Sequence, residues 1–469
     1  MSDHLQRGLS NRHIQLIAIG GAIGTGLFLG SGQTISLTGS SIIFTYLIIG
    51  VVLFMFMRGL GELLLSNSRY KSFVDIANDQ LGPYAGFLIG WTYWMSWITS
   101  SMSDLTAMGS YVSYWSSNIP NWLTILFIVL LLMAFNSLGA KLFGEIEFWF
   151  SMIKIITIII LIVVGLTFII LGLKTNNSTA SFSNLYDNGV FTHGAYGFLM
   201  SFQMAVYSFI GIELIGVTAG ETKNPQVSIP RAVNSVPIRI LLFYIGSLIV
   251  IMSITPWNHI SADKSPFVQV FALIGIPFAA SAINFVVLTA AASATNSGIF
   301  SDSRMLFGLA QDKQAPAIMG KTNKHGVPHI AMFISTSILL VAVMLNYIFP
   351  NTMQLFIYIT TISTVLYLLV WILIIVSYIK YAYTHKEEHK QNVFKLKGGF
   401  LSGYAVLAFF FFVFVLLFFS DDTRRAVYFL PIWLLATALM YLRIKRKKQH
   451  VKDNVLQTHP ELTSQQLDK

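Results

Sequence analysis

Lys154, Glu213 and Asp104 are ionisable side chains set inside long apolar runs. A charge in such a place is costly unless it is paired or used. Lys154 stands in Phe148-Trp-Phe-Ser-Met-Ile-Lys154-Ile-Ile-Thr157, nine residues past Glu145, about 13 Å along a helix. That depth is awkward for a lysine that must snorkel to water. An amine held there can serve as a proton-exchanging group. Glu213, between Gly211 and Gly216, can do the same as an acid; the alternative for both is a buried pair that locks helices. Asp104, in Ser101-Met-Ser-Asp104-Leu-Thr106, suits orienting a polar side chain or an ammonium group, or bonding a neighbouring helix. Arg58 and Glu62 are one i, i+4 step apart and read as a structural pair. Glu145 and Glu147 open the run that carries Lys154 and read as interfacial.

These groups need a scaffold that tolerates them, and one stretch points to it. In Ile19-Gly-Gly-Ala-Ile-Gly-Thr-Gly-Leu-Phe-Leu-Gly30, five of twelve residues are glycine. Each costs a helix interior about 1 kcal/mol relative to alanine. The cluster invites the helix to unwind inside an apolar run that spans about 14–36. Unpaired backbone cannot face lipid, so it must line a cavity. The half-helix end with free N–H groups attracts an anion, and the end with free carbonyls attracts a cation. One small zwitterion fits both; close helix packing of the GxxxG kind is the alternative. A second interrupted helix, Ser201 to Glu221, favours the cavity, because its Gly211 and Gly216 break it in turn. Corresponding broken helices in two halves of a chain mark a transporter site at a repeat interface.

The composition fits only a polytopic membrane protein: 469 residues, 55% hydrophobic and 11% charged. Twelve spans are expected, at about 14–36, 41–65, 84–115, 121–138, 146–173, 194–220, 236–254, 270–300, 329–349, 352–379, 402–420 and 426–443. Most prolines fall in links or at span edges, so breaks inside spans come from glycine. The formal charge of +10 is a matter of topology, not of nucleic acid. The links placed outside hold only Lys174, Lys264, Arg424 and Arg425; the other 26 of 30 basic residues lie in or nearer to the alternate links and the tails. By the positive-inside rule both termini are cytoplasmic. The polar start, 1–13, carries no removable signal peptide, and the first span is its own insertion signal. The tail, 444–469, is basic and then polar, and beyond Gln449 it reads as disordered.

Enzyme chemistry finds no footing. There is no cysteine, no nucleotide-binding loop and no paired histidines in the spans. His385-Lys-Glu-Glu-His389 spaces two histidines at i, i+4. It lacks the glutamate that a zincin helix places directly after the first histidine, and reads as a solvated charged loop. No metal and no cofactor is expected.

The segments Gly20-Gly-Ala-Ile-Gly-Thr-Gly-Leu-Phe28, Gly61-Glu62, Gly211-Ile-Glu213-Leu, Glu221-Thr-Lys-Asn-Pro225, Pro230-Arg-Ala and Asn296-Ser-Gly-Ile-Phe-Ser-Asp-Ser-Arg304 resemble the amino acid–polyamine–organocation superfamily, in its bacterial amino acid transporter branch. Asn11 to Gly20, Thr34-Ile-Ser-Leu37, Leu63-Leu-Leu-Ser-Asn67 and Lys264-Ser-Pro-Phe-Val268 are most similar to its D-serine/D-alanine/glycine permeases. The resemblance runs from about Leu9 through the last span. It implies an all-α, LeuT-like fold: an inverted 5+5 helix repeat with helices one and six broken, covering 14–173 and 194–379, plus two C-terminal helices over 402–443. It implies a secondary active transporter of the plasma membrane that imports small neutral amino acids by proton symport, with the proton as coupling ion, the lipid bilayer as surroundings, and no obligate protein partner. A permease for other neutral L-amino acids, or a membrane sensor that binds an amino acid, are the alternatives.

The same resemblance implies site residues. Gly24, Thr25 and Gly26 would present N–H groups to the substrate carboxylate. Ala22 and Ile23, with Tyr207 and Ile210, would offer carbonyls to its ammonium group. Phe209 would be the aromatic gate. Asp104 lies on span three, which lines the substrate cavity in this fold. Lys154 would occupy the place where sodium-coupled relatives of the fold hold their ion, and Glu213 matches an acid implicated in coupling.

Overall fold

The computed structural model describes residues 23–458, except 68, 71, 138–139, 176–177, 219–223, 276, 324–325 and 350. Ala22, the segment 1–13 and the last eleven residues lie outside the described residues. Apart from turns and loops, the described residues form helices, with one isolated β-bridge between Lys174 and Thr179.

A π-helical turn at Gly26–Gly30 leads into α1 (Ser31–Thr38). Gly39, at φ 62°, turns the chain into α2 (Ile42–Ser66). A short helix, α3 (Phe73–Leu81), is closed at its start by a capping box between Ser72 and Asp75. It ends at Gly82, where φ is 101°, and Pro83 then opens α4 (Pro83–Ser113). Next come α5 (Asn121–Ser137) and α6 (Ala140–Ile170).

The second half begins with α7 (Gly194–Tyr207) and α8 (Ile215–Thr218), separated by a break. Helix α9 (Pro225–Ile240) passes through a second π-turn, Leu241–Ile245, into α10 (Gly246–Ile254). Then follow α11 (Pro266–Leu273), α12 (Pro277–Gln311), α13 (His329–Ile338), α14 (Leu340–Ile348) and α15 (Thr352–Thr384). The chain closes with α16 (Lys386–Gln391), α17 (Gly399–Leu416), α18 (Asp421–Val427) and α19 (Phe429–Thr458).

Among the described residues, eight helical stretches are long and apolar enough to cross a membrane: Gly26–Ser66, Phe143–Ile170, Gly194–Val217, Phe278–Gln311, His329–Ile348, Thr352–Thr384, Gly399–Leu416 and Asp421–Lys447. The expected third, fourth and seventh spans are not among them: Asn121–Ser137 and Leu241–Ile254 are shorter apolar helices, whereas α4 is 31 residues long. It carries Ser96, Thr99, Ser100, Ser101, Ser103 and Asp104, all buried. Its polarity is compatible with an apolar solvent because it packs inside the protein, along α12 and α15. Outward faces are apolar instead: Phe127, Trp149, Val163, Leu401, Phe411 and Ile432 are all exposed. The chain is an all-helical, multi-pass membrane protein.

Two expectations fail at one end of α2. Arg58 and Glu62 do not bond each other; each clasps the segment between α15 and α17. The Glu62 carboxylate is fully buried and accepts from His389 Nδ1 at 2.6 Å, Asn392 Nδ2 at 3.2 Å, the Leu396 N–H at 3.0 Å and Tyr378 Oη at 3.1 Å. Arg58 donates to the Lys395 carbonyl at 2.8 and 3.1 Å and to Asn234 Oδ1 at 2.9 Å, and it covers the Phe394 ring at 4.3 Å. The loop carrying His385 and His389 is therefore not simply a solvated one. His389 is fastened to Glu62, while His385 stacks on Tyr381. The i, i+4 spacing put Arg58 and Glu62 within reach of each other, but backbone and imidazole donors from a distant segment fit the buried carboxylate better.

Replacing Glu62 with alanine leaves four donors without their acceptor, so the loss is expected to reach about 3 kcal/mol or more. The check is thermal unfolding of purified protein in detergent. A Glu62→Ala variant as heat-stable as the wild type would contradict this role.

Candidate functional site

The break after α7 is built from sequence. Helix α7 stops at Tyr207, residues 208–211 form turns, and Gly211 takes φ 101°, a left-handed conformation that glycine adopts without strain. The freed backbone groups are satisfied inside the protein. Tyr244 Oη, from the π-turn, donates to the Ser208 carbonyl at 2.7 Å. Ser208 Oγ meets Tyr46 Oη of α2 at 2.9 Å. The Gly211 N–H donates to Glu213 Oε2 at 3.2 Å. The Tyr207 carbonyl accepts the Ile210 N–H at 3.1 Å, so one of its lone pairs is already engaged.

The first break faces this one. Ile23 and Gly24 are bent backbone, and the Gly24 carbonyl accepts from both Leu27 and Phe28 N–H groups at 3.2 Å. Gly26 lies directly against Ser208: a Cβ added to it would sit 2.5 Å from Ser208 Cα. A Cβ on Gly24 would meet nothing closer than Ala294 Cβ at 3.7 Å. Sequence reasoning treated these two glycines alike; only Gly26 is required by the contact between the breaks.

Between the breaks lies a cavity of about 20 Å³ lined by Gly24, Thr25, Gly26, Trp97, Ser100, Asp104, Tyr207, Ser208, Ile210 and Ala294, room for about one water molecule. Five of the expected substrate contacts, Gly24, Thr25, Gly26, Tyr207 and Ile210, meet there with Asp104. Thr25 Oγ1 donates to Asp104 Oδ1, so the acid ties α4 to the first break. Tyr207 Oη bonds Ser103 Oγ of the same helix. Trp97, Ser100, Ser208 and Ala294 were missed, because their types mark nothing in a chain rich in serine and aromatic residues.

Phe209 is not at this cavity. Its ring stacks on Tyr244 at 5.2 Å and leans on Tyr46 at 5.4 Å: Phe209 lies in the turn beyond the end of α7, and its ring packs towards α2 and the second π-turn. Tyr207, which lines the cavity, meets Phe356, ring centroids 6.3 Å apart and nearly perpendicular. Phe356 also lines a larger outer cavity of about 480 Å³, with Leu29, Thr106, Ala107, Ser110, Asp263, Asn351, Thr352 and Met353.

Beside the cavity, fully buried Lys154 donates to Ser293 Oγ at 2.9 Å, and its Nζ stands 3.4 Å from the Ile23 carbonyl. Ser293 Oγ donates to Glu147 Oε1 at 2.6 Å. Glu147 is fully buried, not interfacial as expected. The signal was present, since Glu147, Ser151 and Lys154 fall at i, i+4 and i+7 on one helix face. Glu213 does not pair with Lys154. Its Oε1 has no hydrogen-bond partner among the described residues, and neither do the polar tips of Tyr93, Trp97, Tyr367 and Trp371 or Asp302 Oδ1.

The contact between breaks generates an expectation. Gly26→Ala should cost about 1–3 kcal/mol through overpacking against backbone, while Gly24→Ala should fold as well as the wild type. Thermal unfolding of both in detergent checks the difference. Equal stability of the two variants would remove Gly26 from its place against Ser208.

With this geometry in hand, the chain was compared with known proteins. A family model described as "Amino acid permease" matches residues 13–459. A D-serine/D-alanine/glycine transporter of Escherichia coli (strain K12) is 51% identical over 446 residues, covering 95% of each chain. The amino-acid permease AapA of Bacillus subtilis (strain 168) is 50% identical over 447 residues, 95% of this chain and 96% of that one. An uncharacterized transporter of the same organism, YdgF, is 51% identical over 446 residues, 95% of this chain and 97% of the other. Paired helix breaks around a buried cavity, a membrane-crossing all-helical body and a match over nearly the whole length agree: the chain belongs to the amino acid permease family, and it is a transporter rather than an enzyme.

Proposed function

We propose that this protein imports glycine, D-alanine and D-serine across the plasma membrane, each with a proton. The observation that carries the coupling half is the placement of Lys154, whose ammonium group reaches the Ile23 carbonyl at the first break and Ser293 on α12. A cation there holds the broken helix by its exposed carbonyl, so gaining or losing the proton changes the strength of that hold. The substrate half is supported by the name of the Escherichia coli relative and by walls of Trp97, Tyr207, Ile210 and Ala294 around a small cavity. Main-chain groups at helix ends recognise what all amino acids share; the side-chain walls set the size.

In this reading the chain crosses the membrane twelve times with both termini in the cytoplasm. Residues 14–173 and 194–379 form two inverted five-helix repeats, and 402–443 adds two helices. The Thr25 and Gly26 N–H groups head the helical half of the first break and face the carboxylate. Asp104 acts through Thr25, and Glu213 takes part in proton release.

Two measurements check this. In proteoliposomes, excess D-alanine should compete with labelled glycine uptake and phenylalanine should not; the reverse order would overturn the substrate assignment. Lys154→Ala should retain glycine exchange but lose uphill accumulation under an inward proton gradient. If the monodisperse variant concentrates glycine as well as the wild type, Lys154 has no part in coupling.

A further inference from the structure

From the seam between α6 and α12 we infer that Glu147 is the proton-relay partner of Lys154, the group that takes its proton on the way to the cytoplasmic side. The inference rests on the proton-symport reading and adds to it a residue and a route.

Four observations carry it. First, Lys154 Nζ, Ser293 Oγ and Glu147 Oε1 form one continuous chain of hydrogen bonds, 2.9 and 2.6 Å long. Ser293 accepts from the amine and donates to the carboxylate, which is the polarity a proton wire needs. Second, Glu147 is fully buried; its Oε2 makes no formed hydrogen bond among the described residues, although the Ser151 and Ser297 hydroxyls stand close enough to bear on the carboxylate. A buried carboxylate oxygen without a formed bond in a native site calls for an explanation beyond packing. A purely structural acid would be expected to use both oxygens, as Glu62 does.

Third, the surroundings continue the route. Below Ser293, Ser297 falls one helical step further along α12; its hydroxyl is buried and likewise makes no formed hydrogen bond among the described residues. Ser151 lies between Lys154 and Glu147 on the facing helix and is buried as well. Beyond Glu147 the seam is shut by Phe143 and Phe300, stacked with centroids 3.8 Å apart, with Arg304 over the Phe300 ring. Fourth, the basic residues Lys141 and Lys313 flank this end of the two helices, which the positive-inside rule puts in the cytoplasm. The other charged group that bears on Lys154 is Asp104, from α4.

The step balances as a single proton transfer. The Lys154 ammonium gives one proton to Ser293 Oγ as the Ser293 hydroxyl gives its own to Glu147 Oε1. The result is a neutral amine, an unchanged serine and a protonated carboxyl group. Freed of its charge, Lys154 loosens from the Ile23 carbonyl, and Glu147 later yields the proton past the Phe143–Phe300 stack.

The test uses full-length protein in proteoliposomes loaded with a pH-sensitive dye. Glycine added outside should acidify the lumen, and the ratio of proton influx to labelled-glycine exchange is the readout. In Glu147→Gln, which keeps size and one acceptor but cannot take the proton, this ratio should fall at least about tenfold, with exchange still measurable. Glu147→Asp should restore part of it, and Ser293→Ala, which removes the bridge with little change in volume, should lower it as Glu147→Gln does. A wild-type ratio in Glu147→Gln, or a loss of exchange and influx in equal measure in both Glu147→Gln and Ser293→Ala, would overturn the relay. If wild-type protein exchanges glycine without acidifying the lumen, proton symport itself is wrong, and the relay falls with it for that separate reason.

Discussion

A peptide group cannot be left unpaired against hydrocarbon, and the rest of this structure follows from that constraint. Two helices are interrupted, and each interruption frees backbone groups that lipid would not solvate. The only stable arrangement places the breaks against each other and surrounds them with donors and acceptors from helices that are themselves shielded. Gly26 against Ser208 is the point of closest approach. Tyr244 and Glu213 bond freed backbone groups directly, and side-chain bonds of Tyr46 with Ser208, Thr25 with Asp104, and Tyr207 with Ser103 tie the neighbouring helices around them. The polarity of α4 follows as well: a helix rich in serine and carrying an aspartate is a poor membrane span by composition, but a good wall for exposed backbone.

The same constraint explains what was legible in the sequence. Glycines at 24, 26 and 211 in otherwise apolar runs pointed to breaks, with close helix packing as the alternative, and the breaks fall there; Gly216, expected to break the second helix too, lies inside α8 against Phe73. Depth along a helix marked Lys154 as buried, because nine residues from an acidic end leave a lysine nowhere to snorkel. What could not be read was partner choice between distant segments. Glu62 meets His389 across 327 residues, and nothing local predicts it. Nor could a ring's direction be read where the helix had ceased to be one. The gate role of Phe209 came from family resemblance alone, and a resemblance does not fix which way a ring turns where the chain leaves the helix at Ser208. Glu147 fell between the two cases: its face was computable, but its nearness to the end of the run suggested the interface.

Coupling between two ligands requires that both act on one element with two arrangements. Here the element is short. The Ile23 carbonyl faces Lys154, while Thr25, two residues on, carries the bond to Asp104 and lines the cavity. A proton on the amine and an amino acid in the cavity would therefore act on adjacent peptide groups of one unwound segment, and no long transmission path is needed. A segment held at one end by a cation and at the other by an anion is steadier than one held at either end alone. On the proposed reading, occupancy of one site would raise affinity at the other, and reciprocity of linkage would make the effect equal in both directions. That is the minimum physical content of symport. On the proton-symport reading proposed above, the lysine would bring its cation on a covalent tether, its charge switched by a proton while α6 keeps its position.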